Sequence, residues 1–262
     1  RRGDLRMIKI AEAFSSGKAF IPFITCGDPD LETTGELIKK MSESGADLIE
    51  LGIPFSDPTA EGPVIQEANI RALSKGTTTD KIFDMVKSIR NEIAVPLVFM
   101  TYANVVFSYG TESFVKKAAE CGMAGLILPD VPYEEKEEFE KVCEKYGLEL
   151  ISLIAPTSKD RIEMIAKNAK GFIYCVSSLG VTGVRNSFST DISDVTKHIK
   201  AASDIPCAIG FGISTPEQAK KMSVYSDGVI VGSAIVKIIA KYGKNCIEPV
   251  CSYVKEMKKA VS

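Results

Sequence analysis

Residues 46–63 read ADLIELGIPFSDPTAEGP, and the character of this stretch changes halfway along. Its first half is apolar and predicts a strand buried on both faces, as in parallel sheets that are covered by helices. Glu50 lies inside this strand, where a carboxylate must face a polar pocket or hold a proton. Glu61 follows in a loop rich in proline and glycine. Two carboxylates in different environments indicate a general acid and base pair.

A plainer interpretation of the two glutamates is open at this point. Glu50 would end its strand in a salt bridge, and Glu61 would be a solvated loop residue. Position in the stretch does not separate the two interpretations. The remainder of the chain favours the catalytic one.

A strand followed by an amphipathic helix recurs along the chain. The predicted strands are 19–25, the Glu50 strand, 96–101, 125–128, 149–154, 172–176, 206–210 and 228–231. Predicted helices include 31–44, 111–121, 134–146 and 158–168. This alternation predicts parallel strands with right-handed crossovers, and this number of units predicts a (β/α)8 TIM barrel. We expect one barrel domain over residues 1–262, and a doubly wound open sheet is the alternative.

An extra helix is predicted ahead of the first strand. Apolar residues recur between Leu5 and Phe14 with a helical period, and Ser-Ser-Gly follows them. Because this helix precedes the first strand, we expect it to plug one end of the barrel.

Composition narrows the class of protein. The chain has 262 residues, of which 45% are hydrophobic, and its formal net charge is −2, so neither nucleic acid nor an anionic membrane is an expected partner. Seven cysteines without a C-x-x-C pair indicate reduced thiols. No apolar run is long enough to span a bilayer, and we expect a soluble, cytoplasmic protein.

Glycine-rich turns follow each of the last three predicted strands, at 179–183, 210–216 and 231–234. In barrels of this kind the loops after strands seven and eight, with a helix N-terminus, form a recurring phosphate site. Glycine allows the backbone to approach closely, and free N–H groups at a helix start bind an anion. Each turn alone is ordinary, but together they predict a phosphate ester substrate.

The residues that are missing also narrow the chemistry. The only histidine, His198, lies on a predicted helix at 194–201, so a Ser-His-Asp triad and a histidine-rich metal site are not expected. No predicted strand ends in a lysine that suits a Schiff base. Carboxylates are therefore expected to transfer the protons.

Apolar and aromatic side chains are expected at the same face as the acids. They are Phe23, Met100, Tyr102, Tyr174 and Phe211. Each one alone is typical of core filling. Beside an acid pair and a phosphate cradle, they suit a flat, hydrophobic substrate.

Six motifs together resemble the alpha subunit of tryptophan synthase over nearly the whole chain. They are FIPFITCGDP at 20–29, ELGIPFSDPTAEGPVIQ at 50–66, LPDVP at 128–132, GVTG at 180–183, GFGISTPEQ at 210–218 and VGSAIVK at 231–237. The resemblance implies retro-aldol cleavage of indole-3-glycerol phosphate to indole and glyceraldehyde 3-phosphate. It implies neither a metal nor an organic cofactor. It also implies a beta-subunit partner, in an assembly of two alpha and two beta chains.

The same resemblance assigns roles to individual residues. Glu50 would move protons between indole C3 and the glycerol hydroxyl, and position 61 would hold the indole N–H. Thr182 would position the loop acid. Phosphate binding would fall to backbone N–H groups of Gly183, Gly212, Gly232 and Ser233. Phe23, Tyr102, Tyr174 and Phe211 would line the indole slot. Asp57 and Asp130 would face the beta subunit.

Glu61 is the position at which the chain leaves the family pattern, which has aspartate there. The added methylene displaces the carboxylate by about 1 Å, and we expect weakened turnover that Glu61→Asp would raise. The alternative is a catalytically impaired allosteric subunit that binds substrate and activates the beta subunit. A sugar-phosphate isomerase or epimerase would explain the cradle but not the Glu50 motif.

Overall fold

The computed structural model describes residues 5, 7–177, 188–210 and 212–262, with the backbone alone at 188–191. The strands are β1 Ala19–Thr25, β2 Ile49–Gly52, β3 Leu97–Met100, β4 Gly125–Ile127, β5 Glu149–Leu150, β6 Ser152–Ile154, β7 Ile173–Val176, β8 Cys207–Gly210 and β9 Gly228–Val231. Their order in the sheet is β5-β4-β3-β2-β1-β9-β8-β7-β6, and every pairing is parallel.

The sheet closes into a barrel through one divided strand. The predicted strand 149–154 is split at Ile151 into β5, which pairs with β4, and β6, which pairs with β7. The Ile151 N–H still donates to the Leu126 carbonyl oxygen at 2.9 Å, so Ile151 itself remains hydrogen-bonded to β4. With β5 and β6 counted as one divided strand, eight strands surround the barrel axis, and the predicted (β/α)8 TIM barrel is confirmed.

Helices cover the outside of this barrel. They are α1 Leu31–Glu43, α2 Pro63–Ser74, α3 Thr79–Ile89, α4 Ala103–Tyr109, α5 Thr111–Glu120, α6 Glu137–Tyr146, α7 Lys159–Lys167, α8 Phe188–Ala202, α9 Pro216–Ser223, α10 Ser233–Tyr242 and α11 Ile247–Val261. Short 3-10 turns follow α3 at Arg90–Glu92, precede α6 at Tyr133–Glu135 and lie between α10 and α11 at Gly243–Asn245. None of the helices in these described ranges is long and apolar enough to cross a lipid bilayer.

Apolar residues are buried on both sides of the barrel sheet, in two main clusters. The larger one lies between the sheet and the helices. The smaller one combines strand residues with the N-terminal 3-10 helix: Ile10, Ala13, Ala19, Ile21, Leu48, Val98, Ala124, Ile127, Ile151, Phe172, Tyr174, Ala208 and Ile230. Since side chains alternate across a strand, residues two positions beyond a member of the smaller cluster also face the interior.

The predicted helix over residues 5–14 is shorter than expected. Residues 7–9 are not helical, and only Ile10–Phe14 form a single 3-10 helix. Lys9 is extended, with φ −70° and ψ 144°, because the chain turns there to insert Ile10 and Ala13 into the interior cluster. Tertiary packing thus overrides helical periodicity, while the expected plug at this end of the barrel is present.

Candidate active site

Glu50 lies inside the barrel near the C-terminal ends of the strands. Leu48 belongs to the interior cluster, so Glu50, two residues later in β2, faces the same interior. Its neighbours in the sheet are Phe23 of β1 and Val98 of β3. The strand position follows from an apolar sequence that is buried on both faces, with Ile49 and Leu51 turned to the helices.

The Glu50 carboxyl group has an unusual environment. The residue has 0% exposure, and neither carboxylate oxygen has a hydrogen-bond partner in the described part of the chain. Burial raises the pKa of Glu50 from about 4.5 to about 8, because a charge in this apolar surrounding is costly. Near neutral pH the group therefore holds a proton that it can release.

Glu61 lies in the loop between β2 and α2 and is only partly buried. The Asn69 amide donates from Nδ2 to Glu61 Oε2 at 2.7 Å. Burial raises the pKa of Glu61, while hydrogen bonds from Asn69 and Tyr102 act in the opposite direction. The second acid is thus held by polar partners that favour its ionised form.

Tyr102 links the Glu61 loop to the exit of β3. Its hydroxyl oxygen accepts from the Ala60 N–H at 3.2 Å, and its ring lies 5.5 Å from the Phe55 ring. The residue is buried, and burial followed by the charge of Glu61 raises the pKa of Tyr102. The phenol stays protonated beside the carboxylate as a result.

Apolar side chains fill the interior beside Glu50. Phe23 packs with Ile65, Ala68, Val236 and Met100. Two glycines make room for the Phe23 ring: a Cβ at Gly52 would lie 2.6 Å from Phe23 Cζ, and one at Gly232 would lie 3.2 Å from Cδ1. A side chain at Gly52 would therefore clash with the ring, and one at Gly232 would crowd it.

Tyr174 of β7 faces the same interior from the far side of the barrel. Burial, and then the negative charge of Glu50, raises the pKa of Tyr174. A Cβ at Gly210 would lie 2.6 Å from the Tyr174 hydroxyl oxygen. Phe23, Met100, Glu50 and Tyr174 thus all face the interior of the barrel.

The last two strands end in the residues expected to bind phosphate. Gly212, after β8, has φ +75°, a conformation that favours glycine. Gly232 is the N-cap of α10, and exposed Ser233 is the first residue of that helix. The N-cap residue Gly232 has no side chain that could cap the first N–H groups of α10. N–H groups at a helix start that lack such a cap can bind an anion. Thr182, Gly183 and Phe211 lie outside the described residues.

Asp57 and Asp130, the expected partner-facing acids, are both exposed. The Ser56 hydroxyl donates to Asp57 Oδ2 at 2.6 Å. Asp130 accepts from the Ala103 N–H with both oxygens, at 3.1 and 3.2 Å, and so caps the N-terminus of α4. The Asp130 cap was not anticipated from the sequence.

The sequence did not single out three further polar residues near this end of the barrel. Asn69 lies on the buried side of α2, with Ile65, Ala68 and Ala72. Their spacing is helical, and a lone amide among apolar residues was the available signal. Thr25 ends β1 and Thr101 follows β3, and both hydroxyls are buried without a partner in the described ranges.

The remaining titratable groups do not suggest another centre. His198, on α8, lies with Nδ1 3.9 Å from Glu163 Oε1, away from the strand ends. All seven cysteines are buried and free. Within the described ranges, no three His, Cys, Asp or Glu side chains are grouped closely enough to hold a metal ion.

Comparison with known proteins identifies the family of this chain. The family model for the tryptophan synthase alpha chain matches residues 11–262. The alpha chain of Lacticaseibacillus casei is 49% identical over 255 residues, covering 97% of this chain and 96% of that one. The alpha chain of Thermoanaerobacter sp. (strain X514) is 49% identical over 246 residues, covering 93% and 94%.

Solved structures give the same result. The tryptophan synthase alpha chain of Legionella pneumophila superposes with a TM-score of 0.86 at 35% identity, covering 96% of both chains. A chain of tryptophan synthase from M. tuberculosis superposes with a TM-score of 0.85 at 31% identity, covering 96% of this chain and 98% of that one. This chain therefore belongs to the tryptophan synthase alpha chain family, whose reaction is that of a lyase.

Proposed function

We propose that this chain cleaves indole-3-glycerol phosphate to indole and glyceraldehyde 3-phosphate, with Glu50 as the acid and base. The observation that carries the proposal is the Glu50 carboxyl group, fully buried and without a hydrogen-bond partner among the described residues. Membership of the alpha chain family supports the reaction. The raised pKa supports the use of Glu50 as a proton carrier near neutral pH.

The reaction needs one proton to be given and one to be taken. Protonated Glu50 delivers its proton to indole C3, which leaves a positive charge on the ring nitrogen. The Glu50 carboxylate then removes the proton of the hydroxyl on the carbon next to C3. The O–H electrons form the aldehyde, the C3–carbon bond breaks, and its electron pair restores the neutral indole. Glu50 ends the cycle protonated, as it began.

Glu61 stabilises the charge that develops during this reaction. A carboxylate that accepts the indole N–H lowers the energy of the cationic ring, which exists only along the reaction path. The hydrogen bonds from Asn69 and Tyr102 favour the ionised Glu61 that this role requires. Phe23, Met100, Tyr102 and Tyr174 form the apolar slot, to which Phe211 is assigned by family resemblance.

The phosphate group binds at the ends of the last strands. Gly212, Gly232 and Ser233 present backbone N–H groups there, and the positive end of α10 adds to the attraction. Gly183 and Thr182 complete the cradle and position the loop acid by family resemblance. Anion binding at this edge leaves the indole ring directed to the interior that holds Glu50.

A beta subunit is the proposed partner, in an assembly of two alpha and two beta chains. Exposed Asp57 and Asp130 lie on loops that leave the same end of the barrel as the active site. A cavity of about 690 Å3 beside Asp130 is lined by residues that include Leu128, Pro132 and Ala155. A partner on this face would cover the strand ends through which indole leaves.

Release of indole tests the proposal. The isolated chain should release indole from indole-3-glycerol phosphate, and addition of a beta subunit should raise the rate and give a larger species in size-exclusion chromatography. No indole from the chain alone, together with activation of the beta subunit, would favour the impaired allosteric subunit. No indole and no complex would contradict both functions.

A further inference from the structure

Asn69 makes a contact with Glu61 that is more constrained than a surface hydrogen bond. Its side chain is 4% exposed, and Nδ2 donates to Glu61 Oε2 over 2.7 Å. A hydrogen bond to a carboxylate is stronger than one between neutral groups. The amide binds one oxygen of the carboxylate and thereby fixes the direction in which the other points.

The helix that carries Asn69 is itself fixed. Arg71 donates from Nε and Nη2 to the two oxygens of Asp28, at 2.8 and 2.9 Å, and Asp28 is buried at the exit of β1. On its buried face, Ile65 and Ala68 pack with Phe23 and with Val236 of α10. α2 thus contacts both the apolar slot and the helix whose start forms the phosphate cradle.

A glutamate side chain at position 61 needs more restraint than an aspartate side chain would. It has one more rotatable bond than aspartate, and fixing a longer side chain in one orientation costs more conformational entropy. Gln66 donates only to the Glu61 backbone carbonyl, at 2.7 Å, and does not restrain the carboxylate. Asn69 connects the carboxylate to the barrel through α2, in addition to the hydrogen bond from Tyr102 at the exit of β3.

We propose that Asn69 is a positioning residue that holds the Glu61 carboxylate against the indole N–H and matches the binding site to glutamate at this position. The proposal rests on the function proposed above. It also reverses the expectation from sequence for Glu61→Asp: the shorter side chain withdraws from Asn69, so turnover should fall.

The test replaces Asn69 by leucine, which has a similar shape and cannot donate. We expect Asn69→Leu to lower kcat for indole release by roughly 10- to 100-fold, with a smaller change in KM, since misplacement of about 1 Å has effects of this size. The acid limb of the kcat/KM profile should move to higher pH, because a carboxylate without its donor binds a proton more readily. Unchanged kcat and an unmoved limb would overturn the proposal.

Arg71→Met is the matched control on the same helix. It removes the tie to Asp28 and should lower the melting temperature, yet it should leave the acid limb where it is. An equal shift of the limb in Arg71→Met would show that Asn69 acts only through the helix, and would overturn the proposal.

A double-mutant cycle tests the match to glutamate. If the shorter Glu61→Asp side chain has already lost the contact, adding Asn69→Leu should change kcat by less than about threefold. A full 10- to 100-fold further loss would contradict the proposed contact.

A second readout separates this proposal from the proposed function. The carboxyl 13C resonance of Glu61, assigned with Glu61→Gln, should titrate at higher pH in Asn69→Leu than in the unchanged chain, whether or not indole is released. An identical titration overturns the Asn69 proposal alone, whereas absence of indole with a shifted titration overturns the reaction alone.

Discussion

Glu50 and Glu61 are the same amino acid in two different surroundings. Glu50 is fixed on a strand, completely buried, without a hydrogen-bond donor in the described part of the chain. Glu61 lies on a loop and is bound by Asn69. Burial alone acts on Glu50 and favours its protonated form. Burial also raises the pKa of Glu61, but there the hydrogen bonds from Asn69 and Tyr102 oppose the rise. Barrel and loop thus give one residue type two different environments, which suit the two roles proposed for these glutamates.

The difference also affects stability. A buried carboxyl group without partners destabilises the folded chain once it ionises, whereas Glu61 keeps polar partners and contact with solvent. A strand interior would be more stable with an apolar residue at position 50. The destabilising group is retained in the barrel where the proposed reaction requires a proton carrier.

The largest expected effect comes from removing the proton of Glu50. Glu50→Gln preserves the shape of the side chain but cannot transfer a proton, so turnover should fall by roughly two to four orders of magnitude in an indole-release assay. Glu149→Gln is the matched control, because Glu149 is also a strand glutamate whose pKa is raised by burial, at the opposite end of the barrel. Glu50→Gln activity within threefold of the unchanged chain would remove Glu50 from the mechanism.

The pH dependence of unfolding should show the burial of Glu50 directly. The pKa of Glu50 is about 8 in the folded chain, against an ordinary value of about 4.5. Between these two pH values the folded chain therefore binds one proton that the unfolded chain does not. Stability is therefore greatest below pH 4.5 for this group and is lost as pH rises through 8. Relative to Glu50→Gln, the unchanged chain should lose about 3 kcal/mol of unfolding free energy between pH 5 and pH 8.

Urea denaturation at the two pH values measures this difference. Glu61→Gln should show a smaller pH-dependent change, because Glu61 retains contact with solvent and hydrogen bonds that support its charge. Equal pH-dependent changes in unfolding free energy for Glu50→Gln and Glu61→Gln would contradict the difference between the barrel and loop environments.

A smaller effect is expected at the phosphate end of the substrate. Ser233→Pro removes one backbone N–H at the first position of α10, where helices tolerate proline, while Ser233→Ala keeps it. Loss of one hydrogen bond to a charged group should weaken glycerol phosphate binding by roughly 10-fold or more, measured by calorimetry. Equal affinity in the two variants, with unchanged melting temperatures, would argue against binding through this N–H group.

Local patterns explain why the barrel and Glu50 were predictable. The alternation of strands and helices along the sequence predicts the fold. A charged residue within an apolar strand can be recognised from the sequence alone. The break at Ile151, the Asp130 cap on α4 and the shortened helix before Phe14 arise from contacts between distant segments. Asn69 belongs to the same group, since its importance depends on where the Glu61 loop returns to α2.

The role proposed for Glu50 can be measured through the pH dependence of indole release by the isolated chain. At low substrate concentration, kcat/KM reports the free protein, in which protonated Glu50 begins the reaction. We expect kcat/KM to fall as pH rises through about 8, the pKa of the buried carboxyl group. A rate constant that stays level or rises through this range would show that the resting proton on Glu50 is not the one that starts the cleavage.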